Sequence, residues 1–151
     1  LARLDEEGIP ELVDNLLAAR TNLSAVFIRG AIRNNQQKAI EIMQKYCDSP
    51  DNGIEFAKND YQLAHDLANA SGNPVYVLMM NGFKGLYSRI GGYFFSNPKS
   101  RELTTSYYHQ LLELAQAGDY KQVPLVIRAY GIKSGKIWQE MRNDMPKGLV
   151  D

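Results

Sequence analysis

A chain of 151 residues, 44% apolar and 23% charged, has the size and balance of one globular domain with a real core. Its 17 basic and 17 acidic residues cancel to a formal charge of zero, which argues against a nucleic-acid grip by this segment alone, since phosphate binding draws on a basic excess. A single cysteine, Cys47, excludes an internal disulfide and fits a reducing, cytoplasmic setting, and no apolar run reaches the roughly 18 residues of a membrane span. The chain starts at Leu1 rather than Met, has no basic-then-apolar leader, and is expected to be a piece of something longer.

The pattern is helical throughout. Pro10 suits a first helical turn, and Leu12, Val13, Leu16, Leu17, Leu23, Val26, Phe27 and Ile32 recur at helical spacing, so a long helix is predicted to about Asn34. A second helix is predicted from Gln36 to Cys47, followed by a loop from Ser49 to Gly53. The third carries Ile54, Phe56, Ala57, Tyr61, Leu63, Ala64, Leu67 and Ala68, and Gly72 stops it. Asn73 and Pro74 open a fourth, whose seam is Tyr76, Met80, Phe83, Tyr87, Ile90 and Phe94, with Gly82, Gly85, Gly91 and Gly92 around it. Asn97 and Pro98 open a fifth, through Tyr107, Tyr108, Leu111, Leu112 and Leu114 to Gly118. Asp119 is expected to cap a last helix reaching about Asn143, kinked by Pro124. With no convincing strand or repeat, the fold class is all-α: an antiparallel helical bundle of about six to seven helices.

Three features carry chemistry. Arg20 sits on the apolar seam of Val13, Leu16, Leu23 and Phe27, and a guanidinium there must find an anion. It is either a structural ion pair, with Asp60 or a glutamate, or a ligand anchor. Gly131, Ser134, Gly135 and Trp138 share one helical stripe, a notch beside an indole that serves either close helix packing or a ligand groove. The aromatic seam of the fourth helix is core, or the wall of a cavity that its glycines leave open. Catalysis fits poorly. His65 and His109 are the only histidines, neither lies in a catalytic motif, and no local pattern joins one to Cys47. No enzyme is expected.

Four blocks in order also resemble the acyl-CoA-sensing effector domain of FadR-type regulators in the GntR family. They are Asp14 to Asn22, Ala70 to Tyr76, Gly85 to Gly91, and Tyr130 to Trp138. The resemblance implies a seven-helix effector domain filling residues 1–151, normally preceded by a winged helix-turn-helix domain that is absent from this chain. It further implies that long-chain acyl-CoA is the effector ligand, with no cofactor. Operator DNA would be bound through the absent domain, and the full-length protein would be a homodimer that acts as repressor or activator of fatty-acid metabolism. By position, Arg20, Tyr130, Gly131, Ser134, Gly135 and Trp138 fall in the ligand region, and Tyr87, Phe94 and Tyr108 line the acyl tunnel. The family carries an acidic residue where this chain has Lys133. Sister domains of the wider family hold a metal on one aspartate and three histidines and sense small carboxylates. Here those positions read Asp60, Ala64, Tyr108 and Tyr130, so no metal is expected there. The alternatives are such a metal-dependent, small-carboxylate-sensing domain of the GntR family, or a free-standing acyl or lipid carrier.

Overall fold

The computed structural model describes residues 8–149. Six α-helices occupy most of that span: α1 (Ile9–Asn34), α2 (Gln36–Tyr46), α3 (Gly53–Ala70), α4 (Pro74–Phe94), α5 (Pro98–Ala117) and α6 (Val123–Met141). Their boundaries follow local chemistry. The side chains of Asn52, Asn73 and Asn97 each accept a backbone N–H in the first turn of α3, α4 and α5, filling orphan donors of the helix start. Gly118 ends α5 in the left-handed region at φ +68°, where a Cβ would be strained.

The last segment departs from expectation. Asp119 makes no side-chain cap, and a short 3-10 turn over Tyr120–Gln122 intervenes before α6 starts at Val123. Pro124 therefore lies in the first turn of α6, where its missing N–H costs no hydrogen bond and no kink is required. Helix α6 stops at Met141, and a second 3-10 turn spans Arg142–Asp144. At the other boundary that moved, α2 ends at Tyr46 and Cys47 is its C-cap.

The bundle is organised around α3, which packs along α4 more extensively than any other pair and also meets α1 and α2. Gly53 makes that seating possible: a Cβ there would lie 2.9 Å from the Ser96 amide nitrogen and 3.0 Å from the Phe95 carbonyl. The main core joins Phe27, Ile32, Met43, Phe56, Leu67, Leu111 and Ile127 from α1, α2, α3, α5 and α6. A second, small core holds Val13, Ile90 and Trp138, bringing together the start of α1 and the C-terminal ends of α4 and α6. No helix among the described residues is long and apolar enough to cross a membrane.

Candidate functional site: a cleft between three helices

The middle of α1, the C-terminal half of α4 and most of α6 leave a cleft of about 610 Å³ between them. That is within the roughly 300–1,000 Å³ of small-molecule sites. Its apolar wall includes Leu17, Ile90, Phe94, Phe95, Ile127 and Trp138, and its polar groups include Asp14, Arg20, Thr21, Arg128 and Ser134. Eight of the nine residues singled out from the sequence line it: Arg20, Tyr87, Phe94, Tyr130, Gly131, Ser134, Gly135 and Trp138. Tyr108 does not. It lies behind the wall, buried, with its hydroxyl donating to Asp60 Oδ1.

Asp60, buried behind the lining, anchors the charged side of the cleft. Its carboxylate accepts from Arg20 Nη2 at 2.6 Å and from the hydroxyls of Tyr87 and Tyr108. Arg20 also lies over the Tyr87 ring, 4.3 Å from the centroid, a cation–π contact. Burial disfavours the guanidinium charge, but the field of Asp60 and the surrounding phenols outweighs it and raises the Arg20 pKa. The ion pair foreseen for Arg20 is therefore formed, and Arg20 still faces the cleft. Its buried Nε has no hydrogen-bond partner among the described residues.

The stripe on α6 divides between its two readings. A Cβ on Gly131 would sit 3.2 Å from Thr21 Cγ2, so this glycine allows close packing on α1. One on Gly135 would meet nothing within 4 Å, so this glycine leaves space beside the indole. Ser134, between them, is half-buried, with its hydroxyl 3.3 Å from the Gly131 carbonyl to which it donates. On α4, Gly91 packs on Ala57 and lines the cleft, whereas Gly82 and Gly85 open to solvent and trim nothing.

Comparison with known proteins decides the family. Residues 1–150 match the family described as the FadR C-terminal domain. The chain belongs to that family. It is 50% identical over 150 residues to the fatty acid metabolism regulator protein of Shewanella sp. strain MR-4, covering 99% of this chain and 62% of that protein. Identity is 51% over 149 residues to the protein of the same name from Shewanella pealeana, with the same coverage, and 52% over 150 residues to that of Shewanella denitrificans, covering 99% of this chain and 63% of the relative. The chain thus spans a little over three fifths of the length of these relatives.

This FadR-type domain carries site residues that the sequence did not single out. Asp14 accepts from Trp138 Nε1 at 2.9 Å and from Arg142, so it orients the indole that walls the cleft. Tyr107 stacks on Tyr130 with centroids 4.0 Å apart, and Thr104 shares a 2.7 Å hydrogen bond with the Tyr130 hydroxyl. Asp14 lies inside a block with family resemblance, but nothing local marks its contact with an indole 124 positions away. Thr104 had no signal either, because its partner is 26 residues away on another helix. At the positions where sister domains hold histidines, the structure has buried Ala64, Tyr108 on Asp60, and Tyr130 on Thr104.

The phenols predict an alkaline transition. Burial, with the charge of Asp60, raises the pKa of Tyr107, Tyr108 and Tyr130 above the ordinary value of 10.0. Above pH 10 the unfolded chain releases these protons while the folded chain keeps them. Stability should therefore fall as pH rises from 10, by about 1.4 kcal/mol per pH unit for each group until its folded pKa is reached. Urea unfolding at pH 9, 10 and 11 measures it. A flat profile across that range would mean that the three phenols ionise as freely in the folded state.

Proposed function

We propose that this domain senses long-chain acyl-CoA in a bacterial transcription regulator of fatty-acid metabolism, and that the cleft of α1, α4 and α6 is where the acyl-CoA binds. One observation carries this reading: a largely apolar cleft is bordered by a fixed cation, Arg20, whose Nε is buried and unpartnered among the described residues. An apolar chain satisfies the aromatic wall, and a polar or anionic group satisfies the guanidinium. The relatives' shared name, fatty acid metabolism regulator protein, agrees in its subject. Arg128 on the cleft is a further cation for the anionic end, whereas Lys133 is exposed on α6 and not part of the lining.

Burying an acyl chain of ~16 carbons offers on the order of 12 kcal/mol gross. Ordering the ligand and moving helices consume much of it. The remainder biases the bundle between two arrangements, which a winged helix-turn-helix domain elsewhere in the full-length, cytoplasmic, homodimeric protein converts into weaker operator binding. Reciprocally, operator DNA weakens acyl-CoA binding.

At a free concentration of about 100 Kd, long-chain acyl-CoA should stabilise the domain by about 2.7 kcal/mol, raising Tm by roughly 5–11 °C, while a short-chain acyl-CoA does little. Trp138, the only tryptophan, reports the same event by fluorescence. Ser134→Asn tests the site. The added amide points into the notch beside Gly135 and should weaken binding about 5- to 150-fold, for an overpacking cost of about 1–3 kcal/mol, with helix content unchanged. If instead Ser134→Asn lowers Tm steeply and leaves affinity intact, the stripe serves packing and the cleft assignment fails.

A further inference from the structure

Away from the cleft, the end of α2 and the middle of α5 bring the adjacent pair Cys47 and Asp48 together with His109, which is distant from them in sequence. Cys47 continues the inward face of α2 as its C-cap, four residues after buried Met43. Asp48 follows it, exposed. His109 is on α5, one residue beyond Tyr108 and so turned about 100° from the buried face to the surface, where α5 packs on α2. The Cys47 sulfur, an Asp48 carboxylate oxygen and a His109 ring nitrogen all lie within 4.8 Å of one another.

We propose that Cys47, Asp48 and His109 form a binding site for a zinc-class divalent cation that ties the end of α2 to α5. Thiolate, imidazole and carboxylate are the donor set of a borderline transition metal, while magnesium and calcium prefer all-oxygen cages. Tetrahedral coordination needs donors roughly 3.3–3.8 Å apart, given metal–ligand distances of about 2.0–2.3 Å. The side chains that must draw inward are the two exposed ones, and neither Asp48 nor His109 has a hydrogen bond or ion pair among the described residues that would oppose it. The thiol makes one weak contact, to the Gln44 carbonyl at 3.5 Å. On metal binding it gives its proton to solvent. A surface hollow of about 440 Å³ lies beside His109, lined also by Ser49, Asp51 and Glu102. The site is separate from the Asp60 position of the sister domains, where no metal was expected. It also departs from the wider expectation of a metal-free domain, because its third ligand comes from another helix.

Cobalt(II) titrated into the metal-free 151-residue chain is the test, with zinc competition and calorimetry for stoichiometry. One equivalent should bind and develop thiolate-to-cobalt charge-transfer absorption, which zinc abolishes. Cys47→Ser should remove that absorption, and His109→Ala should weaken binding by more than about tenfold. His65→Ala, on α3 and outside the cluster, should bind as the parent does. His109 is exposed, so its variant keeps the helical circular-dichroism signal and carries the test even if the cysteine variant unfolds. No charge-transfer absorption at one equivalent, or equal affinity in parent and His109→Ala, overturns the site.

Discussion

Asp60→Ala is expected to destabilise the domain by about 3–5 kcal/mol, lowering Tm by roughly 6–20 °C. The substitution leaves Arg20, whose side chain is only 17% exposed, without its counter-ion, while Asp60 itself is 4% exposed. It also strips the acceptor from the hydroxyls of Tyr87 and Tyr108 in the bundle interior. An unpaired buried charge costs far more than the net value of the pair it came from, and that asymmetry sets the size of the effect. Asp60→Asn keeps a carbonyl oxygen for one of the donors and should fall between parent and alanine variant. Arg20→Met paired with Asp60→Ala should recover much of the loss by removing the stranded charge. Urea unfolding of the four proteins measures this. A loss below about 1 kcal/mol in Asp60→Ala would mean that Arg20 swings into the cleft and hydrates, and the charged wall would then be unimportant to the fold.

Trp138→Ala should cost about 3–5 kcal/mol as well, by a different route. Trp138 is 2% exposed and holds the second core together with Val13 and Ile90, with Tyr93 packed edge-on at 6.0 Å. Its loss removes the largest side chain of a core with few alternatives for collapse, and it leaves one Asp14 oxygen without its indole donor. The hole joins the existing cleft, so water enters rather than the helices closing on a void. Trp138→Phe separates the contributions. It keeps most of the ring contact, loses the bond to Asp14, and should cost about 0.5–1.5 kcal/mol plus a small packing loss. Thermal melts with both variants would refute this account if phenylalanine and alanine proved equally harmful.

The same residues show what was legible in sequence. Helix starts at Asn73 and Asn97, the stop at Gly118 and the long α1 were readable because capping and helical periodicity act within a few residues. Arg20 was legible as a charge on an apolar seam, and Asp60 as one possible partner, because a buried guanidinium demands an anion wherever the chain supplies one. Helical spacing located the stripe on α6 and the seam on α4, and the stripe faces the same cleft as the Tyr87, Ile90 and Phe94 end of the seam.

What remained was decided between helices. The seam on α4 could be core or cavity wall until α1 and α6 were placed beside it; it is both, with Tyr87 and Ile90 buried and still lining the cleft. The start of α6 moved to Val123 because a 3-10 turn links α5 to it, and local signals at Asp119 and Pro124 do not distinguish that turn from a continuous helix. Gly131 and Gly135 look alike in sequence, yet one packs on Thr21 and the other faces open space, since only the approach of α1 tells them apart. Cys47 and His109 are 62 positions apart and meet because α2 lies on α5. By itself the sequence determined the helices, the capped starts of α4 and α5, the stop at Gly118, the family and the need of Arg20 for an anion. All of these follow from interactions short in sequence or from identity position by position. The cleft, the sharing of Asp60 among three donors and the cluster around Cys47 depend on how helices distant in sequence pack, and that packing has no local signature.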